Sequence, residues 1–346
     1  NDQQISRLDF RQQVEENVNE VERAYWQLYQ SLVDVEIQEA LLDETRATAA
    51  LVQRRQQAGA LSDIELWQSY SAIRARETGL VTARAQVYAL SLSLKQLMGD
   101  PELPVAGNTL IVPDDAPIAT PVVFKLEDQV AAALVNRPEL AQQLLRIDSA
   151  STIVRAAKTN LLPELNLTGQ VGLAGTGGSI GDAFDNQGEF DFVNYAVGLT
   201  FEIPIGNRSA RAIWQRTLLQ RQQAVVQYRS LADQIALQVA QAQLEVETRW
   251  KQLAASRQQL FAAQRALEAV NAMEARGWNF SYLQLRLDQQ AGVAQARRAE
   301  VEAMVAYNIA ISNLERAKGT LLRYSNIVLQ EEPVPFAADK PQFDVK

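Results

Sequence analysis

The chain lacks two residue types altogether: among its 346 residues there is no cysteine and no histidine. Their absence excludes zinc fingers, iron–sulfur and haem sites with the usual ligands, Ser-His-Asp triads and cysteine nucleophiles. Carboxylates, Lys or Tyr alone would have to carry any catalysis, and no pair of carboxylates stands out as an acid/base couple. Basic residues are outnumbered, 33 against 41 acidic, and a net charge of −8 argues against a nucleic-acid surface, which needs a basic stripe to displace counterions. No run of about 20 apolar residues occurs, so no transmembrane helix is expected. No Gly-rich phosphate loop follows a strand, and no cofactor is expected. Only 7% of the chain is aromatic, and its 16 Gly and 11 Pro are gathered in short stretches. What remains is rich in Ala and Gln, a composition that suits long helices better than a compact core.

From about Arg11 to Met98 there is no proline, and apolar residues recur at spacings of three and four: Val14, Val18, Val21, Tyr25, Leu28, Leu32, Val35, then Leu41, Leu42, Ala49 and Val52. This is the period of an amphipathic helix. The break at Gly59-Ala60-Leu61-Ser62 divides the pattern into two antiparallel helices of about 45 and 37 residues, with Gly79 a tolerated interruption. Residues 100–124 carry five of the 11 prolines and read as an extended connector. Helical spacing resumes near Leu126 to Leu134. In Asn136-Arg137-Pro138-Glu139-Leu140, Asn136 is placed to cap the next helix and Pro138 fits its first turn. That helix runs to about Thr159.

The period then changes to two. Leu165, Leu167, Val171 and Leu173 share one face of a strand whose other face carries Glu164, Asn166, Thr168 and Gln170. In the second strand Tyr195, Val197, Leu199, Phe201 and Ile203 alternate with Asn194, Thr200 and Glu202. Each strand is about ten residues long, the length that crosses a bilayer when tilted. A soluble hairpin with one face on a core would alternate in the same way, but no other strands are present to complete such a sheet. From Ser209 to about Arg276 a second long helix follows. After Gly277 the chain turns and returns through Leu283 to about Leu322, and a polar tail closes the sequence.

The two helical pairs repeat each other. Val21 to Gly59 matches Val239 to Gly277 at an offset of 218, and Leu94 to Gly99 matches Leu314 to Gly319 at 220, so the second turn carries about two extra residues. Extended backwards, the repeat places a leading helix and a first strand pair before Asn1. By this reading the 346 residues form about one and a half copies of one unit.

Long helices bracketing a membrane-length strand pair, twice over, resemble the TolC-like outer membrane efflux protein family. Asn136 to Leu140 with Leu162-Pro163-Glu164-Leu165 is similar to that family's entry into its second strand pair, and Gly198 to Ile205 followed by Asn207-Arg208-Ser209-Ala210 to its exit. Arg55, Gly59, Ser62 and Glu65 match the spacing of its helix-hairpin tip. Each motif alone is weak, and their order over nearly the whole chain carries the resemblance. It implies a mainly α fold in which long antiparallel helical hairpins form a coiled-coil tunnel and a transmembrane β-hairpin contributes to a shared β-barrel of a homotrimer. The implied role is the exit duct of a tripartite efflux or type I secretion system, set in outer-membrane lipid with a periplasmic helical tunnel. A periplasmic adaptor and, indirectly, an inner-membrane pump would be its partners. The resemblance implies no enzyme activity, and no nucleic acid. A soluble periplasmic coiled-coil scaffold or adaptor is the rival reading.

On this basis residues 1–99 form the first helical hairpin, 100–136 the Pro-rich connector and a short equatorial helix, and 137–162 the helix leading into the barrel. Residues 163–206 form the transmembrane hairpin, 207–324 the second helical hairpin and 325–346 a flexible tail. Arg55, Gly59, Ser62 and Glu65, with Trp278 and Phe280 at the second tip, are candidates for adaptor contact; the plain alternative is a capped helix turn. Met273 stands where the second tip's Arg would be. Asp288 falls at a family gate position if the two-residue insertion precedes Tyr282, and is otherwise a surface Asp. Asp182, Asp185, Glu189 and Asp191 lie in a stretch from Thr159 to Asn207 that has no Lys or Arg. They form either a solvated loop or an acidic outer mouth that favours cations.

Overall fold

The computed structural model describes residues 1–173, 193–203, 205–274 and 280–329. The three-and-four spacing of the N-terminal third becomes α1 (Asp2–Gln57) and α2 (Asp63–Met98). α1 starts well before Arg11. Nothing in the polar segment ahead of Arg11 breaks a helix, and the Ile5 amide opens the ladder by donating to the Asn1 carbonyl at 3.0 Å. Then follow α3 (Leu126–Asn136), α4 (Pro138–Thr159), β1 (Glu164–Leu173), β2 (Val193–Glu202), α5 (Arg208–Glu274), α6 (Phe280–Ala317) and α7 (Leu321–Tyr324).

Two local readings of the sequence are corrected. Asn136 does not cap α4; it is the last residue of α3, and its Nδ2 donates back to the Ala132 carbonyl at 2.7 Å. Pro138 opens α4 as expected, with the preceding Arg137 held in the extended backbone that a following proline favours. The last long helix does not reach Leu322 either. It stops at Ala317, because Gly319 at φ +68° turns the chain before α7 begins.

The chain divides into two compact units, Asn1–Ser6 with Glu139–Ala232, and Arg7–Pro138 with Asp233–Lys346. In the first, α4 packs along the N-terminal part of α5. Gln143 Nε2 donates to the Ala224 carbonyl at 3.1 Å and Arg221 Nε to Ser151 Oγ at 2.8 Å, above buried Leu140 and Ala157. The strand pair belongs to the same unit.

In the second unit, α1 shares one cluster with α2 (Ala24, Leu28, Val87, Leu94) and two with the start of α6 (Ile37, Leu41 and Ala294; Val52, Leu283 and Leu287). Ala24, Ser31, Gln38, Thr45 and Val52 are all buried and lie seven residues apart, as are Val239, Val246 and Leu253 of α5. A seven-residue repeat is the signature of left-handed coiled-coil packing. The polar members of the α1 seam are satisfied locally: Ser31 and Thr45 donate to the Leu28 and Leu41 carbonyls at 2.9 and 2.7 Å. Gly79 does not interrupt α2. It faces the buried Gln38, whose Oε1 a Cβ at this position would meet at 3.4 Å, about van der Waals contact.

The connector between α2 and α3 is extended, and extended backbone against protein must find partners for its amides and carbonyls. Side chains of three helices supply them. Lys95 Nζ donates to the Gly107 carbonyl (3.0 Å), the Ile111 amide to Ser91 Oγ (3.1 Å) and the Asp115 amide to Tyr25 Oη (3.1 Å). Asn308 clasps both backbone groups of Ile118, at 2.9 and 3.1 Å, and Tyr307 Oη bridges the Thr120 carbonyl and the Val122 amide. A sheet-like bonding pattern is thus built from side chains.

Candidate functional site: the strand pair and the helix-hairpin tip

β1 and β2 pair antiparallel in a register that sets Leu165 against Phe201, Leu167 against Leu199, Gly169 against Val197 and Val171 against Tyr195. Alternation then sends all of these to one face, while Glu164 and Glu202, Asn166 and Thr200, and Thr168 and Gly198 share the other. Among the described residues nothing covers the apolar face, its large residues 61–81% exposed. A two-stranded ribbon with no core cannot hold such a face in water, so it requires an apolar phase or further strands. Ten residues at about 3.3 Å span about 33 Å along the strand, and a tilt of about 45° reduces that to about 23 Å, close to the roughly 25 Å apolar band of an outer-membrane barrel. The ribbon ends in a like-charged pair, Glu164 opposite Glu202, where Asn166 Nδ2 donates to Glu164 at 2.7 Å.

At the other feature, the turn after α1, the chain ends a helix and begins another within five residues. The Ala60 amide reaches the Arg55 carbonyl and the Gly59 amide the Gln56 carbonyl, both at 2.9 Å, the double bond of a Schellman end with glycine at φ +72°. Ser62 then opens α2. Its amide and hydroxyl both donate to Glu65 Oε2, at 2.8 and 2.5 Å, the return arm of a capping box. These bonds, the Ser62 hydroxyl first, hold the Glu65 carboxyl below its ordinary value of 4.5. Arg55, Gly59, Ser62 and Glu65 are therefore brought together, and Gly59, Ser62 and Glu65 have local structural work: they build the turn. Leu61 packs beneath it beside Val52 and Leu283.

The turn also presents a surface not read from the sequence. Ile64 and Trp67, on the first turns of α2, are 64% and 67% exposed, and Trp67 meets Tyr70 edge to face at 5.9 Å. No local signal marks them, because their exposure depends on which face of α2 turns inward, the one that carries buried Glu65 and Ser69. Asp288 is exposed on α6 beside buried Leu287 and accepts from Gln284 Nε2 at 3.0 Å. Trp278, the Phe280 side chain and the acidic positions Asp182, Asp185, Glu189 and Asp191 lie outside the described residues. No helix of the described residues is long and apolar enough to cross a membrane.

A long-helix fold with an uncovered membrane-length β-hairpin is that of an outer-membrane conduit. The model of the outer membrane efflux protein family matches residues 130–320, and the chain belongs to that family. Its members are the passive exit ducts of efflux systems in the outer membrane, and not enzymes. No curated protein matches the chain in sequence. Among solved structures it is similar to a membrane protein from Pseudomonas aeruginosa (TM-score 0.72, 19% identity, 91% of this chain and 71% of that one). It is similar also to the outer membrane protein VceC of Vibrio cholerae (0.69, 16%, 91% and 72%) and to the CmeC outer membrane channel of Campylobacter jejuni (0.67, 16%, 92% and 65%). At such identities the likeness speaks for the fold, of which this chain spans between 65% and 72% of each neighbour's length.

Proposed function

We propose that the protein works as a homotrimer whose strand pairs join in one shared barrel, whose long helices form a periplasmic tunnel, and whose tips receive a periplasmic adaptor coupled to an inner-membrane pump. The observation that carries this reading is the uncovered apolar face of β1 and β2, since its height suits a bilayer and nothing among the described residues covers it. Exposed apolar residues seven apart on the helices, Leu219 and Val226, Leu237 and Leu244, Val81 and Tyr88, support lateral association of copies. Arg55, Gly59, Ser62 and Glu65 shape the tip, and Ile64 and Trp67 add the apolar surface an adaptor would bury. Asp288 is the gate candidate on α6, and Asp182, Asp185, Glu189 and Asp191 the candidates for an acidic mouth. Chemical energy enters through the pump, because the duct conducts passively.

The test is fractionation and light scattering of the full-length protein, beside a variant carrying Leu167→Arg and Leu199→Arg. Each arginine costs about 2–4 kcal/mol at a bilayer midplane, and two on every chain burden each strand pair of the barrel, so the variant is expected to leave the outer-membrane fraction. A wild-type protein that is soluble and monomeric without detergent overturns the proposal in favour of a periplasmic scaffold.

A further inference from the structure

Where α1, the connector and the end of α6 with α7 come together in the second unit, a cavity of about 290 Å³ is lined by Glu22, Tyr25, Trp26, Asp115, Ser312 and Tyr324 among others. Its walls combine three aromatic rings with two carboxylates, and among the described residues no Lys or Arg lines it. Tyr25 and Trp26 meet edge to face at 5.3 Å, and Tyr29 supports Trp26 from behind at 5.9 Å. Tyr25 Oη donates to Asp115 Oδ2 at 2.8 Å, which fixes the ring against the connector. Glu22 Oε1 accepts from Ser325 Oγ at 2.5 Å, whereas its Oε2 is buried with no hydrogen-bond partner among the described residues. Tyr324 registers the same negative surroundings: burial first, then the charges of Glu22 and Glu315, push its hydroxyl above 10.0.

An unpaired carboxylate oxygen away from water is costly, and the group that relieves it is a cation. Inorganic ions would be satisfied by oxygen ligands alone. Aromatic faces beside the acid select instead for an ammonium with an organic body, as in the aromatic cages that hold quaternary ammonium groups. We propose that this cavity binds a small organic ammonium ion, with its charge toward Glu22, its body against Tyr25, Trp26 and Tyr324, and Asp115 at the rim. The assignment stands apart from conduction, since it rests on the helix and connector residues and not on the strand pair.

Isothermal titration of the purified protein with choline, and with its neutral isostere 3,3-dimethyl-1-butanol, tests the site. Choline is expected to bind at one site per chain at least about 10-fold more tightly than the alcohol, the discrimination expected of a partly desolvated cation–π and carboxylate site. Glu22→Gln and Trp26→Leu should each weaken choline about 10-fold. Asp115→Asn lies on the exposed connector and leaves the helices untouched, so it reports even if an α1 variant misfolds; it should weaken choline about 3-fold. Equal binding of choline and the alcohol, no choline binding, or an unchanged choline affinity in Trp26→Leu and Asp115→Asn overturns the proposal.

Discussion

The two helical hairpins finish at equivalent positions, Gly99 after α2 and Gly319 after α6, and the two ends are built differently. Both glycines adopt left-handed backbone, φ +61° and +68°, and both follow a buried leucine, Leu94 or Leu314. Gly99 makes a single bond back to the Lys95 carbonyl and has open space around it. Gly319 and Thr320 make the double bond of a Schellman end, and the glycine lies against the α3–α4 junction, where a Cβ would come within 3.0 Å of the Asn136 carbonyl oxygen and 3.2 Å of Arg137 Cα. Arg11 also donates to the Gly319 carbonyl, at 3.1 Å. A duplicated turn has kept its backbone and acquired different neighbours: the first end releases the connector, and the second is a packing node.

The largest effect should come from filling that node. Gly319→Ala suffers both the left-handed penalty, about 1–2 kcal/mol, and overpacking against backbone that cannot rotate away, so about 3 kcal/mol in total. Gly99→Ala suffers only the first. In thermal melts followed by circular dichroism, Gly319→Ala should fall well below Gly99→Ala; equal midpoints would break the comparison.

The residue four before each glycine sharpens it further. Lys95 is 1% exposed, and its ammonium is held by the Gly107 carbonyl and Thr109 Oγ1, at 3.0 and 3.3 Å. Its counterpart Glu315 is 9% exposed and bonded within its own turn, to Lys318 at 2.5 Å and Thr320 Oγ1 at 2.6 Å. Lys95 thus reaches outward to the connector, while Glu315 closes the helix end on itself. Lys95→Met keeps the packed stem and leaves the Gly107 carbonyl without its donor, a loss of about 1–2 kcal/mol. Hydrogen exchange should rise at the amides of Thr109 and Ile111 in that variant. Glu315→Gln should leave those amides as they were.

This contrast also marks what could be read from the sequence. The periods of 3.6 and 2 revealed the helices, the strands and their apolar faces, because amphipathic pattern is a local record of where the core or the bilayer lies. The glycine at 319 is visible as a repeat of Gly99, but its contact with Asn136 is non-local, and the helical period alone runs through it to Leu322. Asn136 is ambiguous for a related reason: an asparagine beside Arg137-Pro138 suits the end of one helix as well as the start of the next. At the tip, Ser62 and Glu65 are legible as a capping box, whereas Ile64 and Trp67 were hidden because their exposure depends on which face of α2 meets α1.

The tip supplies the third arm, since Gly59 has the double-bonded end of Gly319 and the open surroundings of Gly99. If packing and not hydrogen bonding makes Gly319 special, Gly59→Ala should cost about 1–2 kcal/mol, like Gly99→Ala. Ser62→Ala removes the hydroxyl that bonds Glu65 and should cost about 1 kcal/mol at neutral pH. That cost should depend on pH in a definite direction. The folded Glu65 carboxyl lies below its unfolded value of 4.5, so its contribution is fully present above 4.5 and is lost as pH falls through the depressed value. The gap in melting midpoint between wild type and Ser62→Ala should therefore be constant at pH values above 4.5 and narrow as the pH falls below it. A gap that persists undiminished at pH 3 would mean that the Ser62 hydroxyl acts on the backbone of the turn and not through the Glu65 carboxylate.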